Sequence, residues 1–317
     1  MQRNSRLNDS HVLVCGVDLG GTQTRLAVAD SDGGALDTVR TATEDLGGAD
    51  GLVAWVRDTL RSMAGGQPVA GIAVASPGPL DPRRGVLVNP PNLTGWRNVP
   101  LTTMLAAELG CPAHLENDAN LAAWGEFRAG AGRGTMNMVY VTWSTGVGGG
   151  LILDGRLFSG AHGAAGEIGH TIVDPDGPLD GCGQRGCVEV FCGGGALAKE
   201  TGRSAAELFR AAAAGDPSAL QVVQRATAHM GIALVNLTNL FDPEMIVIGG
   251  GITNSWQQIA PPLNEALQSS PFIDAGRRPR VCRAELGDQA GLVGAVQWAR
   301  AHLSASAQPG FAERLPS

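Results

Sequence analysis

"HVLVCGVDLGGTQTRLAVAD", residues His11–Asp30, is an apolar run to Val17, a turn carrying Asp18, Gly20, Gly21 and Thr22, then a second β-rich run to Ala29. The pattern predicts a hairpin with a wide glycine turn. "MVYVTWSTGVGGGLILDG", Met138–Gly155, repeats the design: an apolar run, a turn of Ser144, Thr145 and Gly146, the glycines Gly148 to Gly150, and another apolar run. Two such hairpins in one chain predict a duplicated domain.

Helix periodicity is read over Gly51–Met63, Leu101–Leu109, Ser204–Ala214, Ser218–Leu240, Trp256–Leu267 and Ala290–Ala305. A buried strand is read in "VAGIAVASPGP", another before "ENDANLAAWGEF", where a helix starts, and a parallel-type strand in "PEMIVIGGGIT". Strands alternating with helices place the chain in the α/β class. "LVNPPNLTGWRNVP" reads as a loop and "SAQPGFAERLPS" as a frayed tail.

The chain has 317 residues, 44% of them hydrophobic, enough for a large core and two domains. No apolar stretch approaches the ~18 residues needed to span a bilayer, and "MQRNSRLNDSH" lacks the apolar segment of a secretory signal, so the expected location is the cytoplasm. The net charge is −7 and basic clusters are short, which argues against a nucleic-acid surface. Lys199 is the sole lysine and lies in "ALAKET", so a Walker-type Gly-Lys-Ser/Thr phosphate loop is excluded. The six cysteines are too few for a disulfide scaffold in so long a chain. In a reducing compartment, the cluster in "GEIGHTIVDPDGPLDGCGQRGCVEVFCGG" points to a metal or to catalysis.

A polyphosphate needs backbone N–H donors with no β carbon in the way. Gly20, Gly21, Gly146, Gly148 and Gly149, with the hydroxyls of Thr22, Thr24, Ser144 and Thr145, suit that work; the alternative is two ordinary hairpins. Asp18 favours the phosphate reading. A carboxylate beside phosphates is repelled unless a divalent cation lies between them, which suggests Mg²⁺, held through water.

"DLGGTQTRLAVAD", "ENDAN", "STGVGGGLILDG", "GEIGH" and "CGQRGCVE" together resemble the ROK family of sugar kinases and sugar-responsive repressors, most nearly its bacterial glucokinases, from about Val12 to Ala299. The resemblance implies an actin-like, ribonuclease H-like two-domain fold with a cleft between the lobes. Residues 1–119 plus 300–317 would form a small domain, and 120–299 a large one carrying the zinc loop and a dimer surface. It further implies ATP as phosphoryl donor, glucose as acceptor, and a homodimer or a dimer of dimers. Another hexose (fructose, mannose, N-acetylmannosamine, allose) or polyphosphate as donor stays open. A repressor of the family carries a helix-turn-helix ahead of the first glycine turn, and about ten residues precede that strand here, so the kinase reading is preferred.

Asp118 matches the family's catalytic aspartate, the group that takes a proton from the sugar hydroxyl. Asn117 matches a residue that hydrogen-bonds the sugar. Both residue types equally suit capping of the helix that follows. Cys182 and Cys187 supply two thiolates across "CGQRGC", and His170 a third ligand, in a set that zinc prefers as a structural metal. The family motif opens with a further cysteine; Asp180 stands in its place, leaving Asp180, Cys192 or water to complete the shell. The resemblance also implies that Glu167, His170 and Glu189 line the sugar pocket and that the backbone at Gly78 approaches the sugar. Asn92 and Trp96 are weaker substrate candidates. Gly249 and Gly250, ending "IVIGG", suit an adenosine lying on backbone.

Overall fold

The computed structural model describes residues 12–30 and 37–306. Two compact units are present, one running to Gly125 and resuming at Gln289, the other spanning Glu126–Asp288. The expected tail, residues 307–317, lies outside the described residues.

In the first unit, β1 (Leu13–Leu19), β2 (Gln23–Asp30) and β3 (Asp37–Ala42) form an antiparallel meander. Helix α1 (Ala49–Met63) leads to β4 (Val69–Ser76), parallel to β1. A short ribbon, β5 (Leu80–Asp81) and β6 (Val86–Leu87), and helix α2 (Leu101–Leu109) precede β7 (Ala113–Asn117), parallel to β4. Helix α3 (Asp118–Ala129) follows, and the sheet order is β3-β2-β1-β4-β7.

The second unit repeats this plan. β8 (Met138–Trp143), β9 (Val147–Leu153) and β10 (Arg156–Leu157) form the meander. The helices α4 (Val188–Cys192), α5 (Gly194–Thr201), α6 (Ala205–Ala213) and α7 (Pro217–Phe241) come next. β11 (Met245–Gly249) pairs parallel with β8, and after α8 (Trp256–Ser269), β12 (Arg280–Arg283) pairs parallel with β11. The order β10-β9-β8-β11-β12 is the same as in the first sheet, so the duplication read from the two hairpins extends to all five strands. Helix α9 (Ala290–Ser306) returns to the first unit.

Alternation along β1 sorts its two faces. Leu13, Cys15, Val17 and Leu19 pack with Leu52, Val56, Leu101 and Leu105 of α1 and α2. On the opposite face Val14, Ala27, Ala29 and Ala73 meet Leu292, Val296 and Ala299 of α9. That face is built of small residues because the helix lies so near: a β carbon on Gly16 would stand 2.7 Å from the Val296 backbone nitrogen. Helices α3 and α9 touch more closely still, since a β carbon on Gly294 would fall 1.7 Å from the Leu121 carbonyl oxygen. Helix α9 thus belongs to the first unit over its full length, so the return to that unit begins at Gln289 and not at residue 300, and the first crossing lies at Gly125 and not at residue 119.

In the second unit Val139, Val141 and Trp143 of β8 and Ile246 and Ile248 of β11 form the centre of a core closed by Phe209, Met230, Leu234 and Leu263. Asp216 starts α7 by accepting from the Ser218 and Ala219 backbone N–H groups, and Pro217 occupies the first turn, where a missing N–H costs nothing. The edge strands β3 and β12 escape the sequence reading because each is half-buried at most and carries polar residues at core-type positions. No helix among the described residues is long and apolar enough to cross a membrane.

Replacing Gly294 by Val should lower stability by about 1–3 kcal/mol through overpacking of the α3–α9 contact. A reduced midpoint of denaturant unfolding at unchanged slope is the expected result.

Candidate active site and metal centre

In the first unit the β1–β2 turn holds its shape through backbone and hydroxyl bonds. The Gly20 N–H donates to Gln23 O (3.0 Å), and Thr43 N–H donates to Thr22 O (2.9 Å). The Thr43 hydroxyl donates to Gly20 O (2.7 Å) and shares a hydrogen bond with the Thr24 hydroxyl (2.9 Å). Thr24 is fully buried, so its hydroxyl braces the turn from behind and does not face a ligand at the open edge, where Gly21 and Thr22 are exposed. A β carbon on Gly21 would lie 2.9 Å from Asn92, which brings the Asn92 loop to the turn. Asp18 is ion-paired with Arg25 and close to Gly291 at the start of α9.

The β7–α3 junction is the second feature of this unit. Glu116, 3% exposed, accepts from the Asn117 N–H (2.8 Å) and from the Asn120 side-chain amide (3.0 Å). Asn117 Oδ1 accepts from the Ala119 and Asn120 N–H groups at 2.9 and 3.2 Å. Asn117 is thereby the helix cap, while Asp118 is exposed at the first position of α3, with Oδ1 accepting from Ala119 N–H (2.8 Å). Strand pairing of β4 with β7 sets Ser76 opposite Asn117, and the Asn117 amide nitrogen comes within 3.9 Å of where a β carbon on Gly78 would stand. Trp96, 6% exposed, is part of the α1–α2 core and contributes packing.

In the second unit the β8–β9 turn is gripped from below. The N–H groups of Gly194 and Gly195, opening α5, donate to the carbonyls of Ser144 and Thr145, each at 2.8 Å. Glu189 Oε2 accepts from the Val147 N–H at 2.7 Å. Beside the turn the end of β11 passes so near that a β carbon on Gly250, φ +86°, would stand 2.4 Å from Trp143 O, and one on Gly251 3.7 Å from Ser144 Oγ. Gly249 is buried under Tyr140. Gly148 and Gly149 lie inside β9; a β carbon on Gly149 would meet Ile168 at 2.2 Å, and one on Gly169 would meet Val147 O at 2.0 Å. Gly149 therefore makes room for "GEIGH".

That close packing sets the metal loop. Exposed Glu167 precedes the turn Ile168–His170, and Cys187 pairs with Ile172 in an isolated bridge. One ligand atom from each of His170, Asp180, Cys182 and Cys187 lies within 4.8 Å of the others. The two sulfurs are 3.6 Å apart, and His170 Nδ1 is 3.4 Å from Asp180 Oδ2. Metal–sulfur bonds of ~2.3 Å at the tetrahedral angle require a sulfur–sulfur edge of ~3.8 Å, and bonds of ~2.0–2.1 Å a nitrogen–oxygen edge of ~3.3 Å. His170 Nδ1 is buried without a hydrogen-bond partner, an arrangement that a metal satisfies. Burial opposes ionisation of Asp180, but hydrogen bonds from Cys182 and Gly181 hold its carboxyl below the usual range. Burial, then the neighbouring Cys182, pushes the Cys187 thiol up to about 11, so metal binding releases a proton there. Cys192 is fully buried with its thiol toward Ala226 O (3.2 Å), and burial raises its pKa further; it lies in the core and takes no part in the cluster.

Glu116, Thr43 and the Gly193–Gly195 start of α5 were not singled out in the sequence. Their partners lie on segments that meet only in the folded sheet; the run "CGGG" was the sole local sign.

A family model described as the ROK family matches residues 14–302. The chain belongs to the ROK family. Glucokinase of Thermotoga maritima is 32% identical over 89% of this chain and 95% of its own length. An N-acetylmannosamine kinase of Yersinia pseudotuberculosis is 37% identical over 90% of this chain and 98% of its own. The crystal structure of a ROK family glucokinase from Streptomyces griseus in complex with glucose and AMPPNP superposes with a TM-score of 0.73 at 34% identity, covering 91% of this chain and 99% of that one. These likenesses make the protein a ROK sugar kinase with the actin-like two-domain fold.

Thr24→Val should lower thermal stability by about 1–3 kcal/mol, because it leaves the Thr43 bridge incomplete in a buried place. A thermal melt checks this; an unchanged melt together with a raised KM for the phosphoryl donor would return Thr24 to the ligand-facing edge.

Proposed function

We propose that this ROK kinase transfers the γ-phosphoryl group of ATP to the 6-hydroxyl of glucose. One observation carries the reading: an exposed carboxylate, Asp118, is fixed at the first position of α3 by a capped junction in which buried Glu116 accepts from the backbone N–H of the capping residue, Asn117. Phosphoryl transfer asks the protein for positioning and charge stabilisation more than for covalent chemistry. Asp118 accepts the proton of the sugar hydroxyl as that oxygen attacks. Asn117, the backbone at Gly78, Asn92, Glu167, His170 and Glu189 hold the other hydroxyls, the carboxylates because each accepts two hydrogen bonds. The exposed turns at Gly20–Thr22 and Ser144–Gly146 hold the phosphates, and Gly249–Gly250 the adenosine. Magnesium, when bound with the nucleotide, supplies the charge neutralisation that lets Asp18 stand near phosphate. One carboxylate with phosphate and water oxygens suits that ion, and Arg25 holds the Asp18 side chain in place.

We assign the metal of the His170–Asp180–Cys182–Cys187 cluster as zinc, from the two thiolates and the tetrahedral edges. His170 would hold zinc through Nδ1, and its ring, then fixed in one tautomer, would offer Nε2 to a sugar hydroxyl. An alternative acceptor is N-acetylmannosamine, favoured by the 37% identity to a kinase of that name.

Initial rates with MgATP over glucose, mannose, fructose, allose and N-acetylmannosamine, repeated with polyphosphate, should show glucose and ATP as the preferred pair. Asp118→Asn should lose about 10²- to 10⁴-fold in kcat with the fold retained; full activity in that variant removes the assignment of the base. For the metal, elemental analysis should find about one zinc per chain, as a closed four-ligand site requires, lost together with sugar affinity in Cys187→Ser. Active protein free of zinc ends that assignment.

A further inference from the structure

Glu189 follows Cys187 by two positions, at the start of α4, and its carboxylate reaches the β8–β9 hairpin. Oε2 accepts from the Val147 N–H at 2.7 Å, and a β carbon on Gly146 would lie 2.4 Å from the same oxygen. Its own carbonyl accepts from the Gly193 N–H at 2.7 Å, and the two residues that follow Gly193 donate to the carbonyls of Ser144 and Thr145. At the other end, Val188 N–H donates to Thr171 O at 3.0 Å beside His170. A single short stretch of chain therefore joins the cluster residues His170 and Cys187 to the Val147, Gly194 and Gly195 backbone bonds beneath the Ser144–Gly146 turn.

We infer that Glu189 is a positioning residue for the phosphoryl donor, its carboxylate holding the Ser144–Gly146 turn so that metal loop and donor turn form one ordered piece. The inference rests on the assignment of that turn to the donor phosphates made above, and it adds to the sugar contact assigned to the same residue. The physical reason is the valence of a carboxylate: one oxygen is engaged by a backbone N–H of the turn, and the other can serve a sugar hydroxyl. A charged acceptor on a backbone N–H also makes a stronger hydrogen bond than a neutral one, so the turn is held more rigidly than a hairpin alone would hold it. Gly146 is required for the same reason, because any side chain there would push the carboxylate off its partner.

The test measures binding of Mg·AMPPNP by calorimetry without sugar, so that loss of the sugar contact does not contribute. Glu189→Ala should weaken AMPPNP binding about ten- to hundredfold, the range for a hydrogen bond to a charged group. Glu189→Gln keeps an acceptor oxygen for the Val147 N–H but not its charge, and should lose about three- to tenfold in AMPPNP affinity, less than Glu189→Ala, while its KM for sugar rises. Gly146→Ala should reproduce the Glu189→Ala loss, and the double variant should be no weaker than either single one, the signature of one shared interaction. Unchanged AMPPNP affinity in folded Glu189→Ala, or additive losses in the double variant, overturns the inference. If Ser144→Ala and Gly146→Ala both bind AMPPNP as the parent does, the assignment of the turn itself fails. Should Glu189→Ala not fold, the contrast between Glu189→Gln and Gly146→Ala decides: equal losses in both overturn the inference.

Discussion

No carbon atom can be added where "GEIGH" crosses the β8–β9 hairpin, and the second unit's site depends on that. Gly149 lies under Ile168, and Gly169 against the Val147 carbonyl, at separations that exclude a side chain. Because the crossing is so close, the metal cluster hangs directly on the hairpin whose tip is the Ser144 turn. Glu189 then reaches the Val147 N–H in a single carboxylate's length. A hairpin carrying side chains at those places would push the loop outward, and four ligands drawn from His170 to Cys187 would no longer converge. The glycine-rich strand costs conformational entropy in folding, offset by the backbone and ligand contacts it allows.

The first unit applies the same economy of space differently. Its sheet presents glycine and alanine to α9, and α9 in turn meets α3 glycine against backbone. Helix α3 begins at Asp118, so the exposed carboxylate stands on an element anchored through buried, close-packed contacts and through Glu116. A rigid support matters for the general base proposed at Asp118 because proton transfer requires hydrogen-bond distance to one particular hydroxyl. Asn117 illustrates how two roles share one junction: its side-chain oxygen caps the helix, and its amide nitrogen remains beside Gly78.

Much of the fold was legible because its signals are local. Both hairpins, the spans of α2 and α7, and the strand of "MIVIG" follow from apolar period and turn residues. The edge strands β3 and β12 were not legible, since an edge needs no apolar alternation, and the short helices α4 and α5 were hidden among glycines and cysteines. At the site, His170, Cys182 and Cys187 were readable from residue type and spacing, and Asp180 only by its place in the family motif, with Cys192 or water as alternatives. The place of Thr24 and Cys192 was not: a hydroxyl next to a glycine turn and a thiol near a metal loop have the right chemistry, but each side chain points into the interior.

The sequence alone determined the α/β class, the duplicated hairpins, the exclusion of a lysine-bearing phosphate loop and the candidate residues for the chemistry, because each depends on residue type and short spacing. Tertiary structure alone decided which of those side chains are buried, that Glu116 and Thr43 brace the two junctions, and that Glu189 accepts from the Val147 N–H. Those outcomes depend on which backbone groups remain unpaired after the sheets form, and distant segments supply their partners.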